Sequence, residues 1–368
     1  MARFEPQPGQ DFCLYVDGTE RWFSGVQHPR VPSMVHSMEG GKATVYRLRH
    51  LQNPSSEYAL KVMRRKHQDP ALEEVCARLD RLKHLPGLAV CERLCLSPVR
   101  AARTIGEYPS LEYAILMPWI QGVSWFDILV KHRQDGLNQK ACLDLASNLA
   151  DVLARLEMDG IAHCDLSSGN FLFDPATLRI ELIDVEDLFA PGAASPRALP
   201  AGTPGYQHRT STQGQWSAVA DRFAGAILLS EVLGWFDPAV RAGSYSESFF
   251  DPAELQLDGC ARRTVLDKAI RRQRPAFGDL LEQAWRSRTL EECPRLADWS
   301  QACGVPFQWG QKIAPIPAIG TSVTPFWGPL PPAKEPQPVK ASWKPVPRPQ
   351  PEPPKSMVTW KDRMEDKS

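Results

Sequence analysis

The sequence predicts an α+β protein followed by a proline-rich tail. Three observations carry this. Leu143, Leu145, Leu149, Val152, Leu153 and Leu156 recur at helical spacing, and Gly160 supplies the stop. Phe171-Leu172-Phe173 and Ile180-Glu181-Leu182-Ile183 read as two short strands joined by a turn at Asp174-Pro175. Beyond Gly304 the composition changes: 15 of the 34 prolines fall between there and Ser368, too dense for a packed core.

In chain order, the first element of interest is the turn Met38-Glu39-Gly40-Gly41-Lys42-Ala43-Thr44-Val45-Tyr46. Its small residues let backbone N–H groups approach an anion. Glu57-Tyr58-Ala59-Leu60-Lys61-Val62 follows as a strand. Pro70-Ala71-Leu72-Glu73-Glu74-Val75-Cys76-Ala77-Arg78-Leu79 opens as a helix with proline near its start. Tyr113-Ala114-Ile115-Leu116-Met117 reads as a buried strand running into the turn Pro118-Trp119-Ile120-Gln121-Gly122. Between the long helix and the hairpin lies His163-Cys164-Asp165-Leu166-Ser167-Ser168-Gly169-Asn170, and Asp184-Val185-Glu186 follows the hairpin. An Asp and an Asn five residues apart, then an Asp about twenty residues on, form the acidic half of a phosphoryl-transfer site. The first Asp can accept a proton from a hydroxyl, and the Asn and later Asp can hold magnesium against phosphates.

Order, spacing and flanks together resemble the protein kinase family, specifically eukaryotic-like Ser/Thr kinases with the worn motifs of bacterial members. The resemblance spans residues 30–304 and implies a two-lobed kinase fold: a small β-rich N-lobe over about 30–118 and a larger helical C-lobe over about 119–304. Residues 1–29 are then an N-terminal extension and 305–368 a disordered Pro-rich tail. ATP and magnesium are the implied cofactors. Asp165 resembles the catalytic base, Lys61 the strand lysine on the phosphates, and Asn170 and Asp184 the magnesium ligands. Gly40, Gly41, Val45 and Ala59 are assigned to the nucleotide, as is Met117 at the back of the adenine pocket. Pro118 has no N–H, so the backbone around Trp119 and Ile120 faces the base, with Ile120 the expected donor. Glu73 and Glu74 are the candidates to orient Lys61, with Glu74 preferred. Gly202-Thr203-Pro204-Gly205-Tyr206 resembles a peptide-substrate platform. Asp221 opens the apolar run to Leu233 and resembles a residue that bonds the backbone of the catalytic loop.

The chain departs from the family in several places. Aligned on Val45, the three loop glycines become Met38, Gly40 and Ala43. Cys164 stands where many kinases have Arg, so no phosphorylated loop is expected to be needed. Ser167 replaces a lysine, Val185 a Phe and Glu186 a Gly. A buried Glu–Arg pair aligns with Thr210 and Cys293, so both charges are gone, an exchange that can be nearly neutral in stability.

Composition excludes other classes. With 43 basic and 43 acidic residues, bulk attraction to nucleic acid or lipid is not expected. Nine cysteines without metal-ligand spacing, Cys91 and Cys95 among them, read as reduced core residues. The N-terminus lacks a signal segment and no apolar run reaches about 18 residues, so a cytoplasmic protein without a membrane span is expected. The tail, with Trp327, Trp343 and Trp360, suits a partner that binds Pro-rich motifs. The expected function is transfer of phosphate from ATP to Ser/Thr of a protein substrate. The rivals are a pseudokinase scaffold that binds nucleotide without turnover and a small-molecule kinase.

Overall fold

The computed structural model describes residues 4–304 except 135, 197 and 212. All of these belong to one unit of the chain, Met1–Trp327. The expected tail, with Trp327, Trp343 and Trp360, lies outside the described residues.

The chain is mixed α/β, with its larger sheet first and its longer helices afterwards. Strands β1 (Asp11–Val16), β2 (Thr19–Gly25), β3 (Ser37–Glu39), β4 (Ala43–His50), β5 (Glu57–Met63), β6 (Leu94–Cys95) and β7 (Ile115–Pro118) build an antiparallel seven-stranded sheet. Its order is β1-β2-β4-β5-β7-β6, with β3 also on β4. Strand β4 shares one edge between two neighbours: Val45 and Tyr46 face β3, whereas Leu48 to His50 face β2. Of the expected extension, residues 1–29, the described part from Phe4 on therefore belongs to this sheet and its core and is not separate. Phe12, Leu14, Val16 and Phe23 are buried with Phe4 in the core on one side of this sheet.

Side chains alternate across a strand, and this alternation decides where Lys61 goes. Leu60 and Val62 of β5 enter the same core as Phe23 and Leu48, so Ala59 and Lys61 face the other way. Cross-strand pairs share a face, and Val45 pairs with Lys61, Lys61 with Ile115, and Ala59 with Met117. Val45, Ala59, Lys61 and Met117 thus line one surface.

Helix α1 (Ala71–Asp80) precedes β6, and α2 (Ala102–Glu107) precedes β7. After β7 come α3 (Trp125–Val130), α4 (Gln139–Met158), α5 (Asp221–Gly234), α6 (Pro238–Gly243), α7 (Ala261–Gln273), α8 (Pro275–Arg286) and α9 (Leu296–Ala302). A second sheet has the order β10 (Ile180–Leu182), β9 (Phe171–Phe173), β8 (Val123–Ser124). Helix α4 starts at Asn138, whose side chain accepts the Ala141 N–H at 2.9 Å. It ends at Gly160, which adopts φ +69°, a conformation that favours glycine. Helix α5 is apolar on nearly every side, as a helix surrounded by protein must be. Among the described residues no helix is long and apolar enough to cross a membrane.

Candidate functional site

The segment between α4 and β9 carries Asp165. Its shape is fixed by Asp221 at the start of α5, whose carboxylate accepts the backbone N–H of His163 at 2.5 Å and of Cys164 at 2.9 Å. Cys164 is held at φ +66°, a costly backbone for a residue with a Cβ, and the two bonds from Asp221 hold it there. Its side chain packs with Ala162 and Ala220, and burial pushes the thiol up to about 12. Cys164 is therefore a packing residue here. The His163 ring spans two segments: Nδ1 accepts the Asp165 N–H at 3.3 Å, and Nε2 bonds the carbonyl of Ile183 at 2.8 Å.

Asp165 faces the segment after β10. Its Oδ1 accepts a hydrogen bond from the Thr203 hydroxyl at 2.8 Å. Burial pushes the Asp165 carboxyl up, and that hydroxyl opposes the shift. Beside it lies a cavity of about 20 Å³ lined by Gly202, Thr203, Gln215 and Asp221, enough for one water. Asn170 donates from Nδ2 to the Asp165 carbonyl at 2.8 Å, and its own carbonyl accepts the Ile183 N–H at 3.0 Å. Asn170 is thereby tied to the residue next to Asp184.

Asp184 has a left-handed backbone, φ +61°, and its side chain is 57% exposed. Lys61 reaches it across 123 positions of sequence, with Nζ 2.5 Å from Asp184 Oδ1. The same ammonium lies 2.9 Å from Glu186 Oε1. Arg93, whose side chain is fully buried, closes on Glu186 from behind with Nη1 2.6 Å from Oε1. Its Nε donates to the Val90 carbonyl. Burial alone would raise the Glu186 carboxyl, but Arg93 and then Lys61 outweigh it and hold it well below the usual range. Burial would likewise strip Lys61 of its proton, but Glu186 and Asp184 more than offset this and raise its pKa.

This corrects the expectation for helix α1. Glu74 is exposed, and Glu73 accepts from the Ser97 hydroxyl at 2.9 Å. The carboxylate beside Lys61 comes instead from Glu186, which stands two residues after Asp184 and has Arg93 to neutralise it. With Asp184 and Glu186 both on its ammonium, Lys61 needs no further carboxylate from α1.

The remaining expected residues surround this centre. Gly40 and Gly41 form the turn between β3 and β4, with the Gly40 N–H on the Ala43 carbonyl at 2.8 Å. A Cβ on Gly41 would touch nothing, and one on Gly40 would meet only the Ala43 carbonyl at an ordinary 3.6 Å. Lys42 in this turn lies 3.7 Å from Asp187. Met117 is buried on the Lys61 face of the sheet. The Trp119 N–H is spent on the Glu57 carbonyl at 2.9 Å, and its ring lies against Arg47 and His36. The Ile120 N–H has no backbone partner among the described residues.

Thr210 and Cys293 are joined through two other side chains. His208 Nδ1 bonds the Thr210 hydroxyl at 2.7 Å, and its Nε2 bonds the Ser287 hydroxyl at 3.0 Å. The Ser287 hydroxyl meets Cys293 Sγ at 3.1 Å and donates to the Ala284 carbonyl. Burial lowers the His208 pKa and favours the neutral ring, and the Thr210 N–H, 3.3 Å from Nδ1, makes that nitrogen the acceptor.

Arg93 escaped the sequence reading altogether. Its only signal was indirect: an acidic residue two positions after Asp184 in a buried turn requires a cation.

Among the described residues no group of three or more His, Cys, Asp or Glu is placed to hold a metal. Asn170 and Asp184 offer one amide carbonyl and one carboxylate, hard oxygen donors of the kind magnesium accepts when phosphates and water complete its shell. The chain matches no family model and no curated protein.

Proposed function

We propose that the chain is a divergent Ser/Thr protein kinase of two-lobed fold that transfers the γ-phosphoryl group of ATP to a hydroxyl of a protein substrate. The observation that carries this reading is the meeting of Lys61 with Asp184 at 2.5 Å, next to the segment that holds Asp165 and Asn170. Lys61 contributes a fixed positive charge for phosphate oxygens. Magnesium, held by Asn170 and Asp184, would neutralise charge on those oxygens. Asp165 takes the proton of the attacking hydroxyl; its bond to the Thr203 hydroxyl supports this, since a side-chain alcohol already sits within reach of the carboxylate. Gly41, where an added Cβ would meet nothing, leaves room for a ligand to come close to the turn. Lys42 and Asp187 link that turn to the acidic segment. The Ile120 N–H is a donor for the base. The segment bearing Thr203 supports a protein substrate over a small molecule.

A second reading is favoured by one observation: Lys61 is already neutralised by two carboxylates. In that reading the chain binds magnesium nucleotide and does not turn it over.

The test is transfer from labelled ATP to generic protein substrates by the wild type and Asp165→Asn. The substitution should lower transfer by roughly 10²–10⁴-fold, the range for a positioned acid or base, with nucleotide affinity retained. Equal rates in the two proteins would remove Asp165 from the chemistry. Magnesium-dependent nucleotide binding with no transfer by the wild type would select the second reading.

A further inference from the structure

A groove of about 510 Å³ opens between the outer part of the sheet and the end of α1; it borders the Lys61 centre through Met117 and Arg93 and does not include Lys61, Asp165 or Asp184. This volume is in the range of small-ligand sites. Part of its lining is apolar: Tyr58 of β5, Leu94 of β6, and Leu116, Met117 and Pro118 of β7. Its walls carry five basic residues, Arg21, Arg81, Lys83, Arg93 and Arg100, against two acidic ones, Asp80 and Glu92. Some of these charges are already matched. Lys83 pairs with Asp80 at 3.0 Å, Arg100 with Asp17 at 2.5 Å, and Arg93 with Glu186.

Arg21 and Arg81 are different. Neither has an ion-pair partner among the described residues, and they approach the groove from separate elements, Arg21 from β2 and Arg81 from the end of α1. Two guanidinium nitrogens of the lining residues, Arg21 Nε and Arg93 Nη2, are also buried without a hydrogen-bond partner among the described residues. Buried donors are rarely left so. Guanidinium groups suit phosphate oxygens because their N–H groups form a planar fork. A lining that combines apolar side chains with cationic ones fits a molecule with one flat apolar part and one anionic part. An acidic peptide has no counterpart to the apolar side chains and would need only the cationic ones.

We propose that this groove binds a small phosphorylated organic anion of nucleotide size, its phosphate on Arg21 and Arg81 and its apolar body on Tyr58, Leu116 and Pro118. The site stands whether or not the Lys61 centre transfers phosphate.

Calorimetric titration of the full chain with AMP, without magnesium, tests it. AMP should bind the wild type. Arg21→Glu/Arg81→Glu should weaken it by about tenfold or more, as expected for loss of charge-assisted phosphate contacts. Arg81→Glu alone, a change at an exposed position, should weaken it in the same direction and guards against misfolding of the double variant. Both arginine variants should leave magnesium-dependent ATP binding at the Lys61 centre unchanged, which separates this groove from the proposed ATP site. Inorganic pyrophosphate, lacking the apolar body, should bind more weakly than AMP. The proposal is overturned if AMP does not bind, if both arginine variants bind AMP as the wild type does, or if pyrophosphate or an acidic decapeptide binds as tightly as AMP.

Discussion

Two largely buried polar clusters brace the surroundings of Asp165, and they are built in opposite ways. Where β5 meets the turn after Asp184, the cluster is charged throughout: Lys61, Glu186 and Arg93 around one shared carboxylate oxygen. Where the segment after Thr203 meets the end of α8, the cluster is neutral: Thr210, His208, Ser287 and Cys293 in a chain of hydrogen bonds. Each differs from what position-by-position resemblance implies. In the first, the carboxylate beside the lysine is kept but comes from another segment. In the second, both charges are absent and hydroxyl, imidazole and thiol bridge the gap. A buried charge must keep a counter-charge, whichever residue supplies it, while a buried pair removed as a whole leaves room for a neutral network.

The largest expected effect comes from breaking the charged cluster on one side. Glu186→Gln leaves Lys61 and Arg93 close together with reduced compensation and should cost about 3–5 kcal/mol in urea unfolding. Adding Arg93→Met should recover part of that loss, because one stranded cation is then gone. A double variant no more stable than Glu186→Gln alone would show that Arg93 does not depend on this carboxylate.

Breaking the neutral cluster should cost less. Ser287→Ala leaves His208 Nε2 without its side-chain partner, a loss of about 1–3 kcal/mol for a buried polar group. The Ser287 carbonyl, 3.2 Å from the same nitrogen, limits the damage. A cost as large as that of Glu186→Gln would erase the distinction between the clusters.

The smallest effect separates them by pH. His208 has its folded pKa lowered by burial, so the unfolded chain takes up protons first as the pH falls through about 6.5, and stability is lost there. Glu186 also has a lowered folded pKa. Its contribution is fully present above the ordinary glutamate value of about 4.3 and is lost only as the pH falls through its folded value. Between about pH 7.5 and 5.5 the imidazole therefore weakens the protein on acidification and the ion cluster does not; Glu231, whose carboxyl burial pushes up to about 8, acts in the opposite sense, so the imidazole's share is read as the difference between the wild type and a His208 variant. His208→Gln should remove the imidazole's destabilising share, leaving the parts due to His36, which burial also lowers, and to Glu231. An unchanged slope in His208→Gln would mean that the ring is not held neutral.

Much of the fold was legible because its longer elements have strong periods. The strand around Lys61, helices α1, α4 and α5, and the β9–β10 hairpin begin and end within a few residues of their expected limits. Strand β7 starts at Ile115 rather than Tyr113 because Tyr113 turns to φ +57°. The β1–β2 hairpin was missed although its signal is present. Phe12, Leu14 and Val16 alternate up to Asp17-Gly18, and both turn residues have positive φ, as a tight two-residue hairpin turn requires. At the candidate site, Lys61, Asp165, Asn170 and Asp184 could be read from spacing because each lies in a recognisable segment. Arg93 and the role of Glu186 could not. Arg93 precedes a strand of only two residues, and its partner lies 93 positions away, so no local pattern records the contact. The preference for Glu74 rested on a helix position, and an acidic residue in a first helical turn is favourable without any partner.

The central claim is that Glu186, and not a glutamate of α1, holds Lys61 for phosphoryl transfer. The direct measurement is transfer from labelled ATP by Glu186→Gln and Glu74→Gln, each corrected for its folded fraction. The account predicts a loss of about 100-fold in Glu186→Gln, the scale expected when a reacting group is misplaced, and near-wild-type transfer in Glu74→Gln. Full transfer by Glu186→Gln together with loss in Glu74→Gln would contradict it.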